Sequence, residues 1–171
     1  MSDGNNQQYL PMRDRASDAE ELFADHVAHP RGQGELALPL ATVKRSRPVC
    51  GDEVTLQVGL FPKGVDGDQR CAIRANATGC AVHRAVTSLL CVVMEGCTVA
   101  ECEERLGAFQ RMMAAGADAH EVTRDRALLG DAVILTDMRR FPARLPCVMT
   151  SWNAFGECLE KIKLVGSDDR A

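Results

Sequence analysis

Two spacings of apolar residues divide the chain. Near its start, Leu22, Phe23 and Val27 share one side of a helix that Ser17 or Asp18 can cap. Pro30 stops it, because the residue before a proline is kept away from helical angles. Residues 1–16 show no such periodicity and are expected to form a mobile tail. From Glu35 to Lys44 the chain reads as extended, and then strict alternation takes over. Val54, Leu56 and Val58 alternate with Thr55 and Gln57, a turn-rich loop runs from Pro62 to Asp68, and Cys71, Ile73, Ala75 and Ala77 repeat the pattern. This predicts a small antiparallel meander.

The helical period returns after Cys80. Val82, Val86, Leu89, Leu90 and Val93 make one buried stripe, and Cys91 is expected to join it as a small hydrophobe. Thr98 with Glu101 three residues on forms a capping box, opening a helix whose inward face is Leu106, Phe109, Met112 and Met113. Ala114 to Thr123 is small and polar, and Leu128 to Met138 is apolar and wholly or partly helical. A last helix starts at Cys147, carries Trp152, Phe155 and Leu159, and ends near Gly166, with 167–171 as a frayed tail. The expected fold is α+β: one domain over residues 17–166, with a three-stranded antiparallel sheet packed against about five helices.

Composition narrows the function classes. The chain has 171 residues, 46% hydrophobic and 26% charged, enough apolar content for one core. A net charge of -4 and 4% aromatic residues provide neither a basic footprint nor a stacking surface for nucleic acid. No uninterrupted apolar run approaches the roughly 18 residues of a membrane span. The polar N-terminus lacks a basic-then-apolar signal pattern, so a cytoplasmic location is expected.

The 8 cysteines change the picture most. A disulfide framework suits short secreted chains, whereas here Cys91 and Cys102 lie on helices, so reduced thiols are expected. Cys71 reads as a packing residue, and Cys158 as structural or free. Cys97 and Cys102 are poorly spaced for a helical metal pair. Three other cysteines each sit beside residues that force a sharp backbone transition. They are Cys50 with Gly51, Cys80 with Gly79, and Cys147 after Pro142 and Pro146. A buried packing position has no need of that, and a ligand carried on a loop does. Two neighbouring strands bring Cys50-Gly51-Asp52 and Gly79-Cys80 to the same end of the sheet. Cys50, Asp52, Cys80 and Cys147 are therefore expected to converge on one ion. From residue types alone, buried hydrophobes or a static zinc clip stay open as alternatives. Zinc takes four ligands, usually thiolate or imidazole, and a carboxylate among them is more easily displaced. His26 and His29, near the end of the first helix, are expected to serve as capping or solvated groups.

The ordered motifs resemble the SufU branch of the NifU/IscU family of iron–sulfur assembly proteins. They are Asp25-His26-Val27-Ala28-His29-Pro30-Arg31, Cys50-Gly51-Asp52, Gly79-Cys80-Ala81, Phe109-Gln110-Arg111-Met112-Met113, Leu129-Gly130-Asp131, Arg140-Phe141-Pro142-Ala143-Arg144, Cys147 and Trp152. Two features favour SufU over the scaffold branch: the extra stretch 114–123, and Pro146 where scaffolds carry His. The resemblance implies a SufE/NifU-like fold and a zinc site from Cys50, Asp52, Cys80 and Cys147. It implies a sulfurtransferase that takes sulfane sulfur from a PLP-dependent, SufS-type cysteine desulfurase and serves downstream cluster-assembly proteins. Cys50 would accept the sulfur after a desulfurase His replaces it on zinc, and Arg144 would help dock the desulfurase. The alternatives are a scaffold that binds iron or a [2Fe–2S] cluster, and a non-catalytic zinc-stabilised activator of the desulfurase. His83 stands where the family usually has Ser, one helical turn from Cys80. It is expected as a satisfied neighbour of the site or as a surface group, rather than as a substitute for Asp52.

Overall fold

The computed structural model describes residues 12–62, 68–114 and 119–168. Its element order is α1 (Met12–Ala28), β1 (Ala41–Arg47), β2 (Asp52–Pro62), β3 (Gln69–Thr78), α2 (Ala81–Met94), α3 (Val99–Met113), α4 (Ala119–Leu129), two 3-10 helices (Gly130–Arg140 and Pro142–Arg144) and α5 (Leu145–Asp168). The strands form a three-stranded antiparallel sheet in the order β1-β2-β3. The α+β architecture expected from the alternating and helical patterns is the one observed.

Alternation explains the register. Val54, Leu56 and Val58 on β2 are fully buried, opposite Val43 and Ala41 on β1 and opposite Ala77, Ala75 and Ile73 on β3. A slip of one residue would turn that whole apolar row to solvent. The row is covered by α2 and by α5, whose Val148, Trp152, Phe155, Leu159 and Ile162 are all buried at helical spacing. Trp152 stacks on Phe109 of α3 with ring centroids 3.6 Å apart and planes 4° from parallel.

Some boundaries differ from expectation. Helix α1 begins at Met12, ahead of the Ser17 or Asp18 cap, so residues 12–16 are helical rather than tail. Residues 1–11, 63–67, 115–118 and 169–171 lie outside the described residues, and with them most of the expected N-terminal tail, hairpin loop and C-terminal end and part of the polar stretch 114–123. The small polar stretch 114–123 supplies the start of α4 at Ala119. Alanine is the best helix former, and this tells more than the polarity of its neighbours. Gly130, at φ 49, ends the α geometry of α4, and the apolar segment continues as a 3-10 helix. The capping box is formed as expected, with Thr98 Oγ accepting from the Glu101 N–H and Glu101 accepting from the Thr98 N–H.

Candidate metal centre

Three segments meet at one end of the sheet. In the first, the turn between β1 and β2, the Cys50 and Gly51 N–H groups both donate to the Arg47 carbonyl, at 3.2 and 2.9 Å. Gly51 takes φ 67, a left-handed conformation that side chains rarely adopt. The turn leaves Cys50 exposed and starts β2 at Asp52, which is fully buried. The second segment is the exit of β3. Glu53 pairs with Thr78, so Gly79 lies beside Asp52. A Cβ on Gly79 would fall 2.7 Å from the Asp52 Cα, and φ is 115, so only glycine permits this approach. The third segment is the first turn of α5, where Cys147 is 4% exposed.

Asp52 is the centre of the group. One carboxylate oxygen, Oδ1, accepts from the Cys80 N–H at 2.8 Å. The other, Oδ2, lies 3.3 Å from Cys50 Sγ and 3.6 Å from Cys80 Sγ. Cys50 and Cys147 place their sulfurs 3.9 Å apart. Ligand atoms of Cys50, Asp52 and Cys147 all lie within 4.8 Å of one another, and Cys80 joins them through the shared carboxylate. Cys80 is also the N-cap of α2, its sulfur accepting from the His83 N–H at 3.4 Å. A cysteine thus occupies a position where Ser, Thr or Asp usually caps, facing helix N–H groups that favour negative charge.

The electrostatics suit a cation. Burial pulls the Asp52 carboxyl upward, but hydrogen bonds from the Cys80 N–H and the thiols of Cys147, Cys50 and Cys80 outweigh it and hold it below the usual range. Burial, then hydrogen bonds to Asp52 and Cys50, pushes the Cys147 thiol up to about 12. One buried negative charge therefore sits beside a Cys147 thiol that resists adding another. A thiophilic divalent cation would compensate both, and three sulfurs with one carboxylate form a donor set that zinc accepts.

The four residues grouped from the sequence lie together in the structure, and one of the three histidines is placed differently from expectation. His83 is fully buried, a neighbour of the site and not a surface group, and each ring nitrogen faces a main-chain carbonyl: Nδ1 that of Cys147 at 3.3 Å, Nε2 that of Glu53 at 3.1 Å. The ring is therefore turned away from a ligand role. The carbonyl contacts were invisible in sequence; only the three-residue spacing from Cys80 hinted at them. His26, expected at a cap or in solvent, is instead 2% exposed and hydrogen-bonded through Nδ1 to Ser88 Oγ at 2.7 Å. His29 pairs with Asp25 at 3.1 Å on the surface. Arg144 lies exposed in the short 3-10 helix before Cys147, its N–H donating to the Phe141 carbonyl.

With this geometry in view, comparison with known proteins is decisive for the family. Residues 19–148 match the NifU-like N-terminal domain, a span that includes Cys50, Asp52, Cys80 and Cys147. The chain belongs to the NifU-like N-terminal domain family. Among relatives of this NifU-like chain, the zinc-dependent sulfurtransferase SufU of Bacillus subtilis is 28% identical, over 82% of this chain and 88% of that protein. The iron–sulfur cluster assembly scaffold protein IscU of Streptococcus pyogenes is 26% identical, over 82% of this chain and 81% of that protein. The crystal structure of a putative iron–sulfur cluster assembly scaffold protein for the SUF system from Fervidobacterium islandicum superposes with a TM-score of 0.66. It is 20% identical and covers 91% of this chain and 99% of that one, which supports the NifU-like fold and nothing finer. Among the described residues, no helix is long and apolar enough to cross a membrane.

Proposed function

We propose that this NifU-like protein is a zinc-dependent sulfurtransferase, relaying sulfane sulfur from a SufS-type, PLP-dependent cysteine desulfurase toward iron–sulfur cluster assembly. The observation that carries the reading is an asymmetry within the thiol group. Cys50 is exposed on a turn, while Asp52 and Cys147 beside it are buried. One thiol can meet a macromolecular donor while Asp52 and Cys147 stay closed and Cys80 is half-buried.

Asp52, Cys80 and Cys147 would hold the metal together with Cys50 at rest. Zinc bound there would keep its cysteine ligands deprotonated at neutral pH. The chemical step belongs to Cys50. Its thiolate attacks the outer sulfur of the desulfurase persulfide, a new S–S bond forms to Cys50 as the donor S–S bond breaks, the outer sulfur keeps its proton, and the donor cysteine leaves as a thiolate. Cys50 then carries the persulfide. Arg144, exposed near Cys147, supplies a fixed positive charge and planar donors for docking the desulfurase.

A scaffold role is the second reading, favoured by the likeness to IscU, with the same cysteines holding iron or a [2Fe–2S] cluster. Desulfurase turnover of cysteine, measured with and without zinc-loaded protein, separates the two. The relay predicts strong stimulation that Cys50→Ala abolishes. No stimulation, together with a stable visible chromophore after anaerobic reconstitution with iron and sulfide, would replace the relay by the scaffold.

A further inference from the structure

Among the described residues, a buried polar seam runs between α2 and α5. On α2 the seam is His83 and Thr87, one turn apart; on α5 it is the Cys147 carbonyl and Ser151, also one turn apart. Thr87 Oγ1 lies 2.6 Å from Ser151 Oγ and 2.8 Å from the His83 carbonyl, to which it donates. His83 Nδ1 faces the Cys147 carbonyl at 3.3 Å and Nε2 faces the Glu53 carbonyl at 3.1 Å. His83, Thr87 and Ser151 are 0%, 3% and 0% exposed. Polar groups this deep are costly unless paired, and once paired they admit only one register between the helices that carry them.

What that register controls is the spacing of the donors. Cys80 caps α2, with its sulfur accepting from the His83 N–H. Cys147 lies in the first turn of α5, and its own carbonyl is one of the two that the ring meets. Glu53, which supplies the other carbonyl, follows Asp52 in the chain. A single rigid ring therefore touches the segments that present three of the four donors. We infer that His83 is a positioning residue for the thiol–carboxylate group: a clamp between β2 and α5, extended by Thr87 and Ser151, that sets the separation of Asp52, Cys80 and Cys147. This rests on the metal-site reading above. Groups that orient ligands without touching the metal typically change affinity roughly 10–100-fold when removed.

The test is zinc affinity by competition with a chromophoric chelator, read beside the visible spectrum of the cobalt(II)-loaded protein and the thermal midpoint of the metal-free protein. His83→Phe fills the volume without either nitrogen, His83→Asn retains a donor near the Nδ1 position, and Thr87→Val breaks the seam one turn away. The clamp predicts that His83→Phe weakens zinc about 10–100-fold with an altered cobalt spectrum. It predicts that His83→Asn recovers part of both, and that Thr87→Val weakens zinc by a smaller factor. Wild-type affinity and spectrum in His83→Phe would overturn it, as would losses that follow the metal-free thermal midpoint alone in all variants. Should His83→Phe fail to fold, His83→Asn and Thr87→Val decide the matter by the same readings. Asp52→Ala and Cys80→Ala, run alongside, test the underlying site. If they bind zinc like the wild type, the metal-site reading fails; if they lose zinc while the His83 variants keep it, only the clamp fails.

Discussion

Two groups of three cysteines occupy this protein, and their surroundings give them opposite chemistry. Cys50, Cys80 and Cys147 surround Asp52 at the end of the sheet, one on a turn, one at a helix cap and one in the first turn of a helix. Cys71, Cys97 and Cys102 meet under β3, held where the Cys71 N–H donates to the Cys97 carbonyl at 2.7 Å and the Gly96 N–H donates to the Cys71 carbonyl at 2.9 Å. In this second group, Cys102 is hydrogen-bonded to Cys71, and that bond together with burial keeps it a neutral thiol. Burial likewise pushes the Cys97 thiol up. The Cys97 and Cys102 sulfurs lie near the carbonyls of Val93 and Met94, at 3.5 and 3.7 Å. The number of thiols is the same; what differs is a buried carboxylate, helix N–H groups and an opening to solvent. A core thiol group is packing, and the same residue type around a buried carboxylate is, on the function proposed above, a ligand set.

The sharpest way to break this contrast is at Gly79. Gly79→Ala adds an atom in contact with Asp52 at a φ of 115. It is expected to cost about 1–3 kcal/mol in denaturant unfolding and to abolish stoichiometric zinc binding. Next in size, Asp52→Ala is expected to lower zinc affinity by about 100-fold or more while the far-ultraviolet spectrum stays native. Cys102→Ala should do the reverse. It should lose about 1–2 kcal/mol of stability through the core cavity while zinc stoichiometry and affinity stay unchanged. A zinc deficit in that variant would make the two groups one functional unit.

The smallest expected effect lies outside both groups. Burial lowers the pKa of His26, with the Arg31 charge adding to the shift. A histidine kept neutral in the folded state binds its proton more readily when unfolded. Stability should therefore be at its full value above the unfolded pKa of about 6.5 and decline as pH falls from there toward the lowered folded value. Chemical denaturation at stepped pH checks the slope, and His26→Gln should flatten it.

Much of this was legible in the sequence because it is local. Alternation placed Val54, Leu56 and Val58 on one face, Thr98 and Glu101 marked a capping box, and Gly51 and Gly79 flagged turns that only glycine allows. The convergence of Cys50, Asp52 and Cys80 followed from two adjacent strands ending together. What stayed hidden depends on segments far apart in the chain. Cys71 reaches Cys97 through backbone pairing of β3 with the turn before α3, and no periodicity encodes that. The His83 ring meets a carbonyl 64 residues away, and the reason is the packing of α2 against α5. Helix α1 starts at Met12 although residues 12–16 carry no apolar stripe, so pattern alone placed its start too late.

The account stands or falls on where sulfur first arrives. After a single turnover of a SufS-type desulfurase with cysteine and the zinc-loaded protein, peptide mass spectrometry without reductant locates the added sulfur. The relay predicts a persulfide on Cys50, absent in Cys50→Ala and not appearing on Cys71, Cys97 or Cys102. No persulfide on Cys50, or equal labelling of the buried cysteines, would contradict it.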